Sequence, residues 1–311
     1  MAERYTYLFG PVFSRRLGHS LGIDIIPYKT CTFDCIYCEC GPTTCLTVER
    51  CSWFPRAAVM AEIDDFLLRA ATLDYFTFAG SGEPTLNSDI GWYICELKKR
   101  TTIPVAVLTN GALLAREEVR NDLLAADVVI PSLDAVSSGT FKRINRPHPE
   151  IQIEEVIKGI SQFRKDFSGH IWLEILFVKN VNDSLEEVRQ ISEAVKIIQP
   201  DKIQIGTVVR PPAEQDTMPV SELFLEQAAE ILNQGCEIIG IPQKTSSEPQ
   251  QVTRDIEIVN LLKRRPTTIQ EMSHAFNTDP EELRKQLHRL ERAGKITSFL
   301  FNNDIFFKPA D

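Results

Sequence analysis

From about residue 70 the chain alternates short β-branched or aromatic runs with longer stretches whose apolar residues recur every three or four positions. The runs DYFTFAG (74–80), VAVLTNG (105–111), DVVIPSLD (127–134), IWLEILFVKN (171–180) and KIQIGTVVR (202–210) predict strands ending in polar or glycine residues. Between them DIGWYICELKKR, AREEVRNDLLAA, IEEVIKGISQFRKDF, SLEEVRQISEAVKII and SELFLEQAAEILNQG have helical periodicity. With LGIDIIPYK (21–29) as a first strand and a helix near RAAVMAEIDDFLLRAA, the pattern makes six successive β/α units. It predicts an α/β protein, a parallel sheet curved into a partial (β/α)6 TIM-like barrel with its function at the C-terminal strand ends.

The pattern changes after IPQKTSSEPQQVT (241–253), a Pro-, Ser- and Gln-rich stretch that reads as a linker. DIEIVNLLKRR stops before Pro266, TIQEMSHAF makes a second helix, and DPEELRKQLHRLERAG makes a third with Asp279 as N-cap and Gly294 at its end. KITSFLF and DIFFKPA then face each other across an Asn-Asn turn. Three short helices and a hairpin predict a winged helix-turn-helix, so the expected domains are 1–245 and 246–311.

Charge divides the chain at the same place. The whole carries −9, whereas the part from Val252 onward has ten Lys plus Arg against nine Asp plus Glu, leaving about −10 on the rest. Such a balance argues against coating nucleic acid by bulk electrostatics. No apolar run reaches the roughly 18 residues of a membrane span, and the first residues lack a signal-peptide pattern, so the expected location is the cytoplasm.

Six of the eight cysteines fall within residues 31–51, which in a reducing compartment points to metal or cluster ligation rather than disulfides. CTFDCIYC spaces Cys31, Cys35 and Cys38 by four and then three. A 4Fe-4S cubane held by three thiolates keeps one iron open for a substrate or cofactor. The competing reading is zinc, with Cys35 and Cys38 completed by Cys40, Cys45 or Cys51, yet no second CxxC and no nearby His support it. Cys40, Cys45 and Cys51 offer three thiolates without paired spacing, so an auxiliary cluster, which usually wants four, is the alternative to reading them as loop thiols; Cys95 and Cys236 read as small buried side chains.

The cysteine spacing, on a loop after the first strand of a β/α barrel, resembles the signature of the radical S-adenosylmethionine superfamily. The likeness runs from about residue 10 to 240. It implies that Cys31, Cys35 and Cys38 bind a 4Fe-4S cluster, that the open iron chelates S-adenosyl-L-methionine (SAM), and that reductive cleavage gives a 5'-deoxyadenosyl radical. It also implies that Tyr37 lies beside the adenine. AGSGEPT resembles the family's Gly-Gly-Glu-Pro strand end, with Ser81 in place of one glycine and Gly82 and Glu83 retained to hold the methionyl amino group. By the same likeness Thr109, Asn110, Ser132 and Asp134 sit where relatives contact ribose and methionine, and Glu174 is within reach of the cofactor. Within the superfamily, SRRLGHSLGIDIIPYKTCTFDCIYC with INRPH and VVRPPAE is similar to an iron-sulfur oxidoreductase group described as wyosine-synthetase-like.

Arg15, Arg16 and His19 precede the first strand, Asn145, Arg146 and His148 follow the fourth, and Arg210 ends the sixth. Gathered at a barrel mouth, they would suit an anionic substrate. The expected substrates are RNA, a protein such as a glycyl radical enzyme or a peptide, or an anionic metabolite, and the expected reductant is a flavodoxin or ferredoxin. A zinc-bearing regulator whose winged helix binds DNA is the non-enzymatic alternative. The five histidines show no HExxH or triad spacing, and AGSGEPT is neither a P-loop nor a dinucleotide fingerprint.

Overall fold

The computed structural model describes residues 5–14, 16–69, 72–233, 235–239, 255–276 and 278–310. β1 (Leu8–Ser14) and β2 (Gly18–Ile23) form an antiparallel hairpin. After two short strands, β3 (Thr30–Cys31) and β4 (Cys45–Leu46), and helix α1 (Arg56–Leu67), the chain settles into alternation. β5 (Tyr75–Phe78), α2 (Ile90–Arg100), β6 (Val105–Thr109), α3 (Glu117–Leu123) and β7 (Val128–Pro131) come first. α4 (Ser138–Ile144), α5 (Ile153–Asp166), β8 (His170–Phe177), α6 (Leu185–Ile198), β9 (Lys202–Thr207), α7 (Glu222–Leu232) and β10 (Cys236–Ile238) complete it.

The main sheet has the order β1-β2-β5-β6-β7-β8-β9-β10, and every pair beyond the first hairpin is parallel. Parallel pairing needs a crossover between neighbours, which the helices supply on one face. Alternation along β8 shows the two faces: Ile171, Leu173, Ile175 and Phe177 are fully buried in the main core, whereas Trp172 and Glu174 point to the other side and are half-buried. That helix-free inner face has its own small cluster of Ala106, Val128 and Ile130, and Leu17 from the β1–β2 turn fills it. The six expected strands are present; β1 and the short β10 lie outside the expected set.

Helix sequences match their positions. In α5, Ile153, Val156, Ile160 and Phe163 form the buried stripe, Glu154 and Glu155 occupy the first turn and Arg164 and Lys165 the last, complementing the helix dipole. Ser184 caps α6 by accepting from Glu187 N.

The C-terminal unit contains α8 (Asp255–Leu262), β11 (Thr267–Thr268), α9 (Ile269–Phe276), α10 (Pro280–Arg292), β12 (Ile296–Phe301) and β13 (Asp304–Pro309). Asp279 caps α10 through the amides of Glu281 and Glu282 as expected, and Asn302 and Asn303 take positive φ at the hairpin turn. β11 adds a third strand that the sequence pattern did not reveal. The unit shares a core with the first hairpin, where Val12 of β1 packs with Ile258, Leu261, Met272 and Phe307. The expected linker and the expected 245/246 boundary lie outside the described residues. No described helix is long and apolar enough to cross a membrane.

Candidate active site at the C-terminal strand ends

The chain leaves β2 through buried Ile25 and Ile26 and turns at Lys29, which holds φ 58 with only 3% exposure. A non-glycine residue in that region needs compensation. Here the Lys29 side chain reaches back to Cys38 Sγ at 3.2 Å. The cysteine loop then lies along residues 144–148: Asp34 N donates to Asn145 O (3.0 Å), Ile36 N to Ile144 O (3.0 Å), and His148 N to Thr32 O (2.9 Å). Phe33 meets Phe141 edge-on at 5.4 Å beneath it.

Amide donors address the sulfurs from two sides. Asn110 Nδ2, at the end of β6, is 3.6 Å from Cys31 Sγ and 2.7 Å from Thr32 Oγ1. Asn145 Nδ2 is 3.4 Å from Cys35 Sγ and 2.7 Å from Asp134 Oδ2. Hydrogen bonds to ligating sulfur tune iron-sulfur centres, so this donor set suits a cluster.

The thiols differ in their proton affinity. Burial, with Glu83 nearby, pushes Cys31 up to about 12. Burial and then Asp134 hold Cys35 well above the ordinary range. A hydrogen bond from Cys40, with Lys29 assisting, lowers Cys38 to about 6. Ionising the first two in a dry loop requires positive charge beside them, which a bound metal would supply. Among the described residues no three of His, Cys, Asp and Glu gather at the spacing of a single-ion site. Thiolates that each serve a different iron need no such gathering.

The Gly-Glu-Pro turn braces this loop. A Cβ on Gly82 would lie 2.0 Å from Thr30 O, so only glycine allows the turn to pass directly behind the strand that carries Cys31. Glu83 is 2% exposed. Its Oε1 accepts from Thr85 N (3.1 Å), Thr85 Oγ1 (2.6 Å) and Thr109 Oγ1 (2.6 Å), and its Oε2 from Asn110 N (2.7 Å). Glu83 and Thr109, expected as cofactor contacts, thus spend these groups on tying β5's end to β6's end. Ser81 likewise turns inward, its hydroxyl 2.6 Å from Asp24 Oδ2.

Several expected contacts find internal partners. Asp134 is 2% exposed, accepts from Tyr37 OH at 2.5 Å and Asn145 on Oδ2, and from Leu176 N at 2.9 Å on Oδ1. It holds the aromatic residue of the cysteine loop in place. Glu174 pairs with Arg16, which enters the inner face from the β1–β2 turn, and Ser132 bridges to Glu174 through the backbone. Asn110, Ser132, Tyr37 and Glu174 remain half-buried around the cysteines and the inner face.

The predicted substrate cluster does not assemble. His19 lies at the N-terminal end of β2, beside Asp74 and Phe13, because β2 and β5 run parallel and both start there. Asn145 is buried under the cysteine loop, exposed Arg146 pairs with Glu214, and His148 is held by its own turn. Arg210 is 7% exposed and clasps Glu39 (2.9 and 3.0 Å) and Glu271 (2.5 Å), so it fastens elements together instead of awaiting an anion. Arg15 lies outside the described residues. Cys45 and Cys51 are exposed, and so is Cys95, which the sequence reading had buried; its place on the solvent side of α2 explains the difference.

Sequence reasoning missed Asp24, Lys29 and Glu39, and took Arg264 for a cation of the C-terminal helices without its partners. Arg264 Nε is 3.4 Å from Asp24 Oδ2, and the Arg264 carbonyl is 3.0 Å from Cys40 Sγ. Only the fold brings residues 24, 40 and 264 together, and a charged residue within an apolar strand end such as Asp24 was the available signal.

A sequence profile described as the Radical SAM superfamily matches residues 25–192. The chain is similar to "UPF0026 protein MJ1312" of Methanocaldococcus jannaschii, 30% identical over 97% of this chain and 95% of that protein. It is also similar to a Brachyspira hyodysenteriae protein named "GTPase Obg", 39% identical over 95% of this chain but only 44% of that protein, so the chain spans less than half of that relative. Among solved structures, Streptococcus suis SuiB bound to S-adenosylmethionine shares the fold at a TM-score of 0.52 and 16% identity, over 70% of this chain and 50% of that one.

Proposed function

The chain belongs to the Radical SAM superfamily, and from that premise we propose that Cys31, Cys35 and Cys38 hold a 4Fe-4S cluster whose fourth iron takes S-adenosyl-L-methionine. When bound, the cluster would supply the electron that cleaves the sulfonium and yields a 5'-deoxyadenosyl radical able to abstract hydrogen from a substrate. The observation that carries this reading is the pair of side-chain amides, Asn110 on Cys31 and Asn145 on Cys35, converging on a three-cysteine loop at the C-terminal end of a parallel sheet.

The protein's own part is orientation. Asp134 fixes Tyr37 through its hydroxyl and Asn145 through its amide, so one buried carboxylate sets both an aromatic edge and a sulfur donor. Glu83 fixes Asn110 through its backbone and thereby the Asn110 side chain at Cys31. At the same strand end the backbone is tied to the cysteine loop, Gly80 O accepting from Cys40 Sγ at 3.6 Å and Ser81 O from Lys29 N at 2.8 Å. The sheet and its helices form a partial (β/α)6 barrel whose inner face, with Ser132 and the Arg16–Glu174 pair, is the substrate side. The C-terminal unit is a winged helix in its element order. It packs on β1 at the edge of the sheet and is tied to the cysteine side through Arg210 and Arg264.

Anaerobic titration of the iron-loaded protein with SAM tests the reading. Saturable binding that needs the iron supports it, and a chain that binds SAM equally well without iron would contradict it.

A further inference from the structure

A crevice of about 840 Å³ opens between the C-terminal unit and the outer side of the cysteine loop. Its walls come from Cys40–Pro42, from the Pro211–Pro212 turn, from the end of α8 and from the β12–β13 hairpin. Among the described residues that line it, Lys263, Arg264, Arg265 and Lys308 stand with one lining carboxylate, Glu39, which Arg210 clasps; Arg264 also pairs with Asp24 behind the wall and Arg265 acts on Glu271, so the lining keeps a smaller but still positive balance. This is a positive patch on a chain of net charge −9. Apolar side chains stand at its rim: Tyr28 is 58% exposed and Leu300 70%. A local positive field steers partners of opposite charge, and apolar groups beside it can add contact area once they dock.

Two observations identify the occupant. None of the inner-face residues Asn110, Ser132, Glu174 and Gln204 lines the crevice, so a substrate seated in it would not reach the inner face of the barrel. An electron needs no such opening. The Cys40 sulfur, two residues beyond Cys38, lies 3.0 Å from the Arg264 carbonyl, and both Cys40 and Arg264 form the crevice wall.

Resting on the cluster assignment above, we propose that this crevice is the docking site of the electron donor, a small acidic protein carrying a low-potential one-electron group. Its acidic groups meet Lys263, Arg265 and Lys308, and its apolar groups meet Tyr28 and Leu300 at the rim. One electron passes from the donor, which is oxidised by one electron, through the Cys38–Cys40 segment to the cluster, which is reduced by one; no proton or group is transferred.

The test follows cluster bleaching by stopped-flow absorbance in the full-length, iron-loaded protein. Two reductants are compared, a flavodoxin hydroquinone and a small photoreduced deazaflavin. In the Lys263→Glu/Lys308→Glu variant, reduction by flavodoxin should slow at least about tenfold at low salt, with the gap closing as salt rises. Reduction by deazaflavin should be unchanged, which separates this proposal from the cluster assignment itself. Flavodoxin reduction that is equally fast in parent and variant would overturn the site. So would equal slowing with both reductants, which would mean the cluster itself had been disturbed. Salt-dependent binding of a single-stranded RNA that the variant loses, with flavodoxin reduction intact, would assign the crevice to nucleic acid instead.

Discussion

Arg210 Nη2 lies 2.5 Å from Glu271 Oε1, fastening the segment after β9 to helix α9 of the C-terminal unit. The same guanidinium holds Glu39, one residue beyond Cys38, so the anchor reaches the cysteine loop. Arg210→Ala removes the cation that the two carboxylates share, and breaking a pair this buried costs about 3–5 kcal/mol. The lower end is expected, since the Glu39 side chain is 35% exposed. Urea unfolding measures it. Adding Glu271→Gln to Arg210→Ala should restore part of the loss, and a single variant within about 1 kcal/mol of the parent would mean the guanidinium is not pinned.

The anchor should weaken in acid. Burial raises the Glu271 carboxyl, but Arg210 and then Arg265 outweigh it, so it titrates below its ordinary value of 4.5. A depressed carboxyl contributes stability that is complete above the ordinary value and is lost as pH falls through the lower folded one. The stability difference between the parent and Glu271→Gln, followed by urea unfolding from pH 6 to pH 3, should therefore shrink toward zero. A difference that stays constant over that range would place the carboxylate outside the anchor.

The strand and helix order and the three-cysteine loop were legible because they rest on local patterns: period-two and period-3.6 alternation, caps, and ligand spacing within eight residues. Non-local partnership was not legible. Asp134 reads as a strand-end carboxylate until the fold brings Tyr37 and Asn145 to it from opposite directions in the chain. Arg210 reads as a loop cation for the same reason, because Glu39 and Glu271 are 171 and 61 residues away. His19 misled by its closeness in sequence to the first strand, since a strand separates its two ends by the full depth of the sheet.

Glu83 offers a sharper distinction between ligand and brace. Its four donors, from Thr85, Thr109 and Asn110, are buried, so Glu83→Ala leaves them unmatched. The expected cost is about 3 kcal/mol in unfolding free energy, together with weaker SAM binding because Asn110 loses its backbone anchor. Loss of SAM affinity with unchanged stability would instead make the carboxylate a direct ligand.

Ending the chain at residue 245 tests how far the two units stand apart. The cut would expose Val12, remove the Glu271 partner of Arg210 and leave Asp24 without Arg264. Reduced iron loading and a lower midpoint in urea are expected for residues 1–245. Full iron loading with unchanged stability would show that the barrel holds its cysteine loop unaided.

The most direct measurement is the electron paramagnetic resonance spectrum of the reduced, anaerobically reconstituted protein, recorded with and without SAM. The expected protein is brown, binds about four irons per chain and shows a reduced-cluster signal that shifts when SAM is added. Replacing Cys31, Cys35 and Cys38 by Ala should abolish the signal, whereas replacing exposed Cys45 and Cys51 should leave it in place. A colourless chain holding a single zinc, or a cluster signal that SAM leaves unchanged, would contradict the open-iron site.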